Sequence, residues 1–313
     1  MLLKELGCRC LALFLVLLVT GCVTVKVDLF EESKPLKEKV ISGFGRDKIL
    51  LVDVSGMIVE SRPRGLLSLL STVTTPDRIK EVLDKAAQDS HIKAVVLRIN
   101  SPGGTVSASD IIHHELMKYK KETGVPVVAC LMGLATSGGY YLAQAGDTIV
   151  ANPSGITGSI GVLAMKLNVK GLMDKVGVEG EMVKSGKWKD FWSPFRPATP
   201  EEKQMMQGVI NSYYQGFVDV VAQGRKMDLK EVRRVADGRI YTASQAKDLG
   251  LVDTLGYLDD AIDLAKKKAG LEEAKVVRYQ RPDSYRPNIY SGLPDFSLAV
   301  TPQFLYMWWP GEL

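Results

Sequence analysis

Residues 94–104 have the sequence AVVLRINSPGG, an aliphatic run that ends in a proline–glycine turn. A short continuous apolar run bounded by turn residues is typical of a strand buried on both faces. A helix is predicted directly after this turn, over about residues 106–122. The stretch therefore predicts a strand–turn–helix unit, from which parallel sheets are built.

Strands and helices alternate on both sides of this unit. Further buried strands are predicted at residues 49–54, 127–131 and 147–151. Helices are predicted after Thr75-Pro76, near residues 138–145, and over a long stretch from residue 200. This alternation predicts the α/β class with a mostly parallel sheet, and the later half of the chain is richer in helix.

Sequence patterns also predict where the helices begin and which of their faces are buried. Capping boxes are predicted at Thr199–Glu202, Asp228–Glu231 and Thr242–Gln245. The helix after Pro76 is expected to bury Ile79, Val82, Leu83 and Ala86. The long helix after Thr199 is expected to bury Met205, Met206, Val209, Ile210, Tyr213, Phe217 and Val221.

The composition is that of a globular protein. Of 313 residues, 46% are hydrophobic and 24% are charged, which excludes a disordered or collagen-like chain. The formal net charge of +4 is too small and too scattered to favour nucleic acid as a partner. Four cysteines, three of them near the N-terminus, give neither a disulfide framework nor a zinc spacing.

The first 22 residues have the pattern of an export signal. Lys4 and Arg9 accompany the apolar run 11–19, which is shorter than the about 20 residues that a membrane-spanning helix needs. The segment ends in VTGC at 19–22 and resembles a bacterial lipobox, which implies cleavage before Cys22 and acylation of its thiol. An uncleaved anchor and an ordinary signal peptide are the alternatives. All three place the bulk of the chain outside the cytoplasm, at or near a membrane.

The rest of the chain divides into three predicted parts. Residues 23–47 are expected to be a polar tether with one short strand at most, and residues 48–270 the folded domain. Residues 271–313 are expected to be a tail with scattered prolines. The tail contains an aromatic cluster, Phe304, Tyr306, Trp308 and Trp309.

Two glycine-rich turns are candidate functional sites. NSPGG at 100–104 is able to aim backbone N–H groups at a phosphate or a developing oxyanion, but a plain tight turn explains it equally well. In ATSGGYY at 135–141, Ser137 lies between a buried strand and a helix N-terminus. A sharp turn there presents a serine hydroxyl as a nucleophile, while a helix-capping role fits the same pattern.

A serine nucleophile needs a base. None of the histidines, His91, His113 and His114, has a supporting context, so a Ser–His–Asp triad is disfavoured. Lysine is the other partner, provided burial lowers its pKa from about 10.4 toward 7–8. KSGKWKD at 184–190 offers Lys184, Lys187 and Lys189, and these residues alone do not decide among the three. Trp188 and Trp192 are expected to supply an apolar setting.

Four motifs in this order resemble the signal peptide peptidase A family. They are NSPGG at 100–104, TSGGYY at 136–141, TGSIG at 157–161 and SGKWKD at 185–190. Asp237-Gly238-Arg239 with Tyr241, and the run 246–256, fit the C-terminal part of that family, so the resemblance covers residues 46–270. It implies a Ser–Lys peptidase with a ClpP/crotonase-like fold of repeated ββα units and a helical C-terminal extension.

The resemblance also implies a role for individual residues. These are Ser137 as nucleophile, Lys189 as general base, Ser159 to orient the lysine, and the N–H groups of Gly104 and Gly138 as the oxyanion hole, with Gly103 as a substitute. It implies no cofactor and no metal. Remnant signal peptides and other apolar peptides near the membrane are the implied substrates, cleaved through an acyl-enzyme.

The chain is similar to the short, single-domain form of the family, some members of which assemble as an octameric ring or dome. In those members the serine and lysine of one site come from neighbouring protomers. The apolar insertion Leu66–Leu70 is expected either to face the membrane or an axial opening, or simply to pack. The aromatic tail is expected at a lipid interface or against a neighbouring subunit. Many relatives have an N-terminal transmembrane anchor, so the lipobox leaves the mode of attachment open.

Two other functions fit the same superfold. An acyl-CoA hydratase or isomerase would use the glycine N–H groups to hold a thioester oxyanion, but export from the cytoplasm disfavours coenzyme A as a ligand. A non-catalytic membrane scaffold would keep the fold without the chemistry.

Overall fold

The predicted buried strands pair side by side in one parallel sheet. The computed structural model describes residues 35–60, 73–281 and 304–307. The central strands are β2 (Lys48–Ser55), β5 (Ile92–Ser101), β7 (Val127–Thr136) and β8 (Thr148–Ala151), adjacent in that order and parallel. Their side chains are buried on both faces, which explains the continuous apolar runs.

Further strands extend the sheet at both of its edges. β13 (Lys275–Gln280) pairs in parallel with β2, and β1 (Lys37–Ser42) pairs antiparallel with β13. β12 (Thr254–Leu255) pairs with β8 at the other edge. The sheet therefore continues into the stretches on either side of residues 48–270.

Helices cover both faces of the sheet. One apolar cluster contains alternate β2 residues such as Leu50 and Val52, and it includes side chains of α1 (Pro76–Ala87), α2 (Val106–Thr123) and α3 (Gly138–Ala143). The other contains Ile49 and Leu51, and it includes side chains of α8 (Leu258–Lys268). The remaining described helices are α4 (Lys170–Val176), α5 (Pro200–Arg225), α6 (Leu229–Val235) and α7 (Ala243–Asp248).

The helix patterns are confirmed in part. Capping boxes form at Thr199 and Thr242, but the Asp228 side chain makes no capping hydrogen bond, so the capping box predicted there is wrong. In α1 the four residues of the predicted stripe are the buried ones. In α5 the predicted stripe is confirmed at Met206, Phe217 and Val221, but it is wrong at Met205, Val209 and Tyr213, which are exposed.

A second, smaller sheet lies at the glycine turn. Its strands, in order, are β10 (Leu163–Ala164), β14 (Phe304–Met307), β6 (Gly103–Thr105), β3 (Met57–Ile58) and β4 (Val73–Thr74). The helix predicted over about residues 106–122 forms as α2 (Val106–Thr123), and Gly103 and Gly104 of the NSPGG turn belong to the short strand β6 that directly precedes it. Two further strands, β9 (Ile156–Gly158) and β11 (Ile240–Thr242), pair with each other, and β9 also pairs with β7.

Several predictions fall outside the described residues. These are the signal segment with Cys22, the tether before residue 35, the insertion Leu66–Leu70, and Trp308 with Trp309. In the described part of the chain, no helix combines the length and the apolar character needed to span a bilayer.

Candidate active site

Ser137 occupies a strained turn between β7 and α3. Its backbone has φ 53 and ψ −117, a conformation that L-residues rarely adopt. The Ser137 N–H donates to the Gly158 carbonyl (2.8 Å), and the Ser137 carbonyl accepts from Tyr141 N–H (2.8 Å). The Ser137 side chain makes no hydrogen bond that caps α3, so Ser137 does not have the helix-capping role that the sequence pattern also allowed. Its Oγ is buried and has no hydrogen-bond partner among the described residues.

No histidine serves this hydroxyl within the described chain, because the Ser137 Oγ has no partner there. His113 packs edge-on against the Tyr141 ring, with ring centroids 5.2 Å apart. Burial lowers the pKa of His113 to about 4, so its imidazole is uncharged at neutral pH. His113 therefore has a packing role in this structure.

The NSPGG turn is held by Ser101. The Ser101 Oγ donates to the Gly56 carbonyl (2.6 Å) and accepts from the Gly103 N–H (3.0 Å). The Gly103 N–H is therefore already engaged, which disfavours Gly103 as the oxyanion donor. Gly104 has no room for a side chain, since a Cβ there would lie 1.8 Å from the Ile58 carbonyl oxygen.

Three of the predicted motifs meet at one edge of the sheet. β5, β7 and β9 are parallel, so their carboxyl ends lie together. The Thr136 hydroxyl donates to the Pro102 carbonyl (3.2 Å), which joins the NSPGG turn to the Ser137 turn. Ser159 follows β9, has φ 50, and donates its N–H to the Arg239 carbonyl (2.8 Å). The structure thus brings together the segments that carry Ser137, Gly104, Gly138 and Ser159.

The lysine segment is exposed, and the structure distinguishes its three lysines. The Lys184 Nζ lies 2.5 Å from Asp190 Oδ1 and also donates to the Lys187 carbonyl (3.3 Å). The Lys187 Nζ lies over the Trp188 ring, 4.4 Å from its centroid. Lys189 is exposed, and its side chain forms no ion pair or hydrogen bond with the described residues. Lys189 is not bonded to Ser137 within the chain.

The two tryptophans do not enclose Lys189 as expected. Trp188 is 39% exposed and contacts Lys187. The Trp192 ring lies 5.6 Å from the Lys166 Nζ and is stacked with Phe191. Within one copy of the chain, these rings therefore interact with other lysines.

An extended segment of the tail lies beside the NSPGG turn. β14 runs antiparallel to both β6 and β10, with Tyr306 opposite Gly104 and Leu305 opposite Leu163. Sequence reasoning missed this strand. The one available signal is the apolar run 304–307 after Pro302, which is too short to distinguish a strand from a loop.

Arg196 is a further residue that sequence reasoning missed. Its guanidinium joins the Asp190 carboxylate to the buried Glu202 carboxylate. The sequence offers only an arginine in a proline-rich loop, and the two carboxylates lie six residues away on either side. Arg196 thereby contacts the residue next to Lys189.

Comparisons with known proteins agree with these features. The model of peptidase family S49 matches residues 119–272, and the Clp protease family model matches residues 58–153. "Putative signal peptide peptidase SppA" of Enterococcus faecium is 38% identical over 80% of this chain and 73% of its own length. The chloroplastic serine protease SPPA of Arabidopsis thaliana is 35% identical over 82% of this chain, and Protease 4 of Salmonella typhi is 35% identical over 77% of it. The matched part is 38% of the length of each of these two. With the mainly parallel sheet, the Clp protease match confirms the ClpP/crotonase-like α/β fold.

Proposed function

The chain belongs to peptidase family S49 and is a serine-type peptidase, and from this we propose that it is a membrane-associated endopeptidase with a Ser137–Lys189 dyad. The geometry of Ser137 carries the proposal. A buried hydroxyl without a partner costs about 1–3 kcal/mol, and a strained backbone costs a similar amount. Ser137 combines both costs at the N-terminus of α3, where the helix dipole favours a developing negative charge. A protein retains such unfavourable features at a site where its reaction requires the strained residue.

Lys189 is the lysine of its segment that is best suited to act as a base. Lys184 is paired with the Asp190 carboxylate, and the Lys187 Nζ lies over the Trp188 ring. The Lys189 side chain has no such partner among the described residues, so its amine is free to enter a neighbouring site.

The base is proposed to come from a neighbouring copy of the chain. Ser137 is 1% exposed and its hydroxyl has no partner in the part of the chain that the structure describes, whereas Lys189 is exposed. The segment 165–195, which contains Lys189, exposes many apolar side chains, as interaction surfaces do. They are Met165, Leu167, Leu172, Val176, Val178, Met182, Val183, Trp188 and Phe195. A ring or dome of copies would cover this surface and complete each site, and an octamer is the size that the family resemblance implies.

The proposed reaction proceeds through an acyl-enzyme. Neutral Lys189 removes the proton from the Ser137 hydroxyl as Oγ attacks the peptide carbonyl carbon. The N–H groups of Gly104 and Gly138 hold the oxyanion, and Ser159 orients the lysine. The C–N bond then breaks, and Lys189 gives its proton to the leaving amine. Lys189 next takes a proton from water, the hydroxide adds to the ester, and collapse releases the acid and restores the Ser137 hydroxyl.

The pairing of β14 supports an extended peptide as the substrate. A strand that runs between β6 and β10 hydrogen-bonds through its backbone, so this cleft accepts a chain of varied sequence. The strand is antiparallel to both neighbours, which sets the direction expected for a bound substrate. Remnant signal peptides and other apolar peptides are the proposed substrates, and acylation of Cys22 is the proposed mode of membrane attachment.

Labelling with a serine-reactive phosphonate tests the dyad. The full chain is expected to be labelled at Ser137, and Ser137→Ala to lose the label. Lys189→Ala is expected to lose labelling and peptide hydrolysis, while Lys187→Ala, a matched change two residues away, retains both. Wild-type labelling of Lys189→Ala would refute the base assignment. A chain that is never labelled and hydrolyses no peptide would instead be a scaffold or a coenzyme A-type enzyme.

A further inference from the structure

The loop that carries Lys189 is joined to helix α5 by one arginine. The Arg196 Nε donates to Asp190 Oδ2 (2.7 Å), and Nη2 donates to the Asp190 carbonyl (3.0 Å). On its other side, Nη1 and Nη2 donate to the two oxygens of Glu202 (2.9 and 2.5 Å). Nη1 also donates to the Pro197 carbonyl (3.2 Å), so all five guanidinium N–H groups are used.

Glu202 anchors this connection to the folded domain. It is 1% exposed and forms the capping box at the start of α5, accepting from the Thr199 N–H (2.9 Å). On the opposite side, Lys166 donates to the Arg196 carbonyl (2.8 Å). The Asp190–Arg196–Glu202 bridge therefore runs from a loop to the end of the longest described helix.

Packing does not fix the loop before Asp190. Residues 177–189 are all exposed in the chain, and the ones near Lys189 are connected only by turns. Isolated surface ion pairs contribute little, but an arginine that uses all its donors in a fixed fork has directional geometry. The Lys189 N–H donates to the Gly186 carbonyl (3.1 Å) inside this turn, and the neighbouring Asp190 joins the turn to Arg196.

Asp190 also has both of its oxygens engaged. Oδ1 accepts from Lys184 (2.5 Å) and Oδ2 from Arg196 (2.7 Å). A free carboxylate one residue from the base would itself pair with the base amine and hold its proton. Lys184 and Arg196 occupy the two oxygens of Asp190, and Lys189 forms no ion pair among the described residues.

We propose that the Asp190–Arg196–Glu202 bridge, completed by Lys184, is the positioning device of the general base. It orients the backbone at residue 189 and keeps the adjacent carboxylate from capturing the base amine. This inference rests on the proposed function, because it takes Lys189 as the base. Asp190, Arg196, Glu202 and Lys184 are positioning residues, since they act through Lys189.

The test compares Asp190→Asn with Asp253→Asn in the full chain, using a fluorogenic peptide and active-site titration with a phosphonate. Asp253 is a matched control because it also pairs with an arginine, Arg225 (2.6 and 3.1 Å), outside the site. Misplacing a catalytic group by about 1 Å costs up to about 100-fold in rate, so Asp190→Asn is expected to lower kcat per titrated site at least about tenfold. KM is expected to change less than about twofold, and Asp253→Asn to leave both constants unchanged.

A variant of Lys184 avoids a failure to fold, because this side chain is partly exposed and its loss removes only the bonds to Asp190 and to the Lys187 carbonyl. Lys184→Met is expected to lower kcat about threefold, and Lys184→Arg, which keeps the ion pair, to restore it. Unchanged kcat per titrated site in both Asp190→Asn and Lys184→Met, with Lys189→Ala inactive, overturns the positioning role alone. An active Lys189→Ala overturns the proposed base itself, whatever the Asp190 variant does.

Discussion

The backbone N–H of Ser137 donates a 2.8 Å hydrogen bond to the carbonyl oxygen of Gly158. This bond joins the turn after β7 to the end of β9, and the next residue, Ser159, also has a positive φ of 50. Two strained serines are thus held side by side by the backbone of parallel strands. Rigid strand ends position functional groups more tightly than free loops do, so the proposed nucleophile is fixed before any substrate binds.

Ser137→Ala is expected to abolish peptide hydrolysis without destabilising the fold. The change removes a buried hydroxyl that has no partner, so the free energy of unfolding is expected to stay the same or rise by up to about 1 kcal/mol. Ser109→Ala is the matched control, because the buried Ser109 hydroxyl donates to the Thr105 carbonyl (2.9 Å) and its loss is expected to cost about 1 kcal/mol. Equal destabilisation in thermal unfolding would mean that the Ser137 hydroxyl is structural.

Gly104→Ala is expected to abolish activity and to destabilise the chain. The new Cβ would lie 1.8 Å from the Ile58 carbonyl oxygen, so β3 and β6 must separate and the oxyanion donor moves. Such overpacking typically costs about 1–3 kcal/mol. Gly216→Ala in α5 meets no atom within 4 Å and is expected to stabilise by about 0.5–1 kcal/mol, with activity retained. Chemical denaturation and peptide assays check both, and an active Gly104→Ala would remove Gly104 from the site.

The sequence predicts the central sheet because its signals are local. The run 94–99 is apolar except for Arg98, and the helix after Pro76 has a clear start and one apolar stripe. These elements form where predicted, with Ile79, Val82, Leu83 and Ala86 buried. The sharp turn at Ser137 is also predictable, because a small residue and two glycines separate a strand from a helix.

Other features depend on partners that are remote in sequence. β6 contains two glycines, which disfavour strands, and it forms because Phe304–Met307 pairs with it about 200 residues later. Asp228 precedes α6 as the pattern predicts, but its side chain does not form the capping hydrogen bond. The choice among Lys184, Lys187 and Lys189 depends on the positions of the Asp190 and Trp188 side chains, which the sequence does not give. An apolar stripe on α5 likewise does not show whether the residues that cover it belong to the same copy of the chain.

Ending the chain at Thr301 is expected to increase peptidase activity. β14 occupies the cleft beside Gly104, so a substrate must displace it before pairing with β6. When only a fraction of the molecules has an open cleft, the apparent KM equals the intrinsic KM divided by that fraction. Truncation is therefore expected to lower KM several-fold. Tyr306→Pro, which removes one backbone N–H without shortening the chain, is expected to shift KM in the same direction. Steady-state kinetics check both, and unchanged constants would mean that β14 leaves the cleft free.

Acid is expected to weaken the anchor of the Lys189 loop through Glu202. The Arg196 guanidinium lowers the pKa of Glu202 from its ordinary 4.5 to about 2. A group with a lowered folded-state pKa contributes its stability above its unfolded value, so this contribution is complete above about pH 4.5 and is lost as pH falls toward 2. The difference in free energy of unfolding between wild type and Glu202→Gln is therefore expected to shrink from pH 6 to pH 3. Glu231→Gln, whose exposed pair with Arg234 spans 3.8 Å, is expected to show little difference at any pH.

Mixing two inactive variants is expected to restore activity, because the proposed site combines residues of two copies. Ser137→Ala supplies an intact Lys189, and Lys189→Ala supplies an intact Ser137. In a closed ring with head-to-tail contacts, random co-assembly at equal amounts pairs an intact serine with an intact lysine at about one quarter of the sites, so about one quarter of wild-type activity is expected. The variants are co-expressed, or unfolded together and refolded, and each variant refolded alone is the control. A dyad within one copy would give no recovery in the mixture, and such a result with normal assembly would exclude the shared site while leaving Ser137 and Lys189 as the dyad.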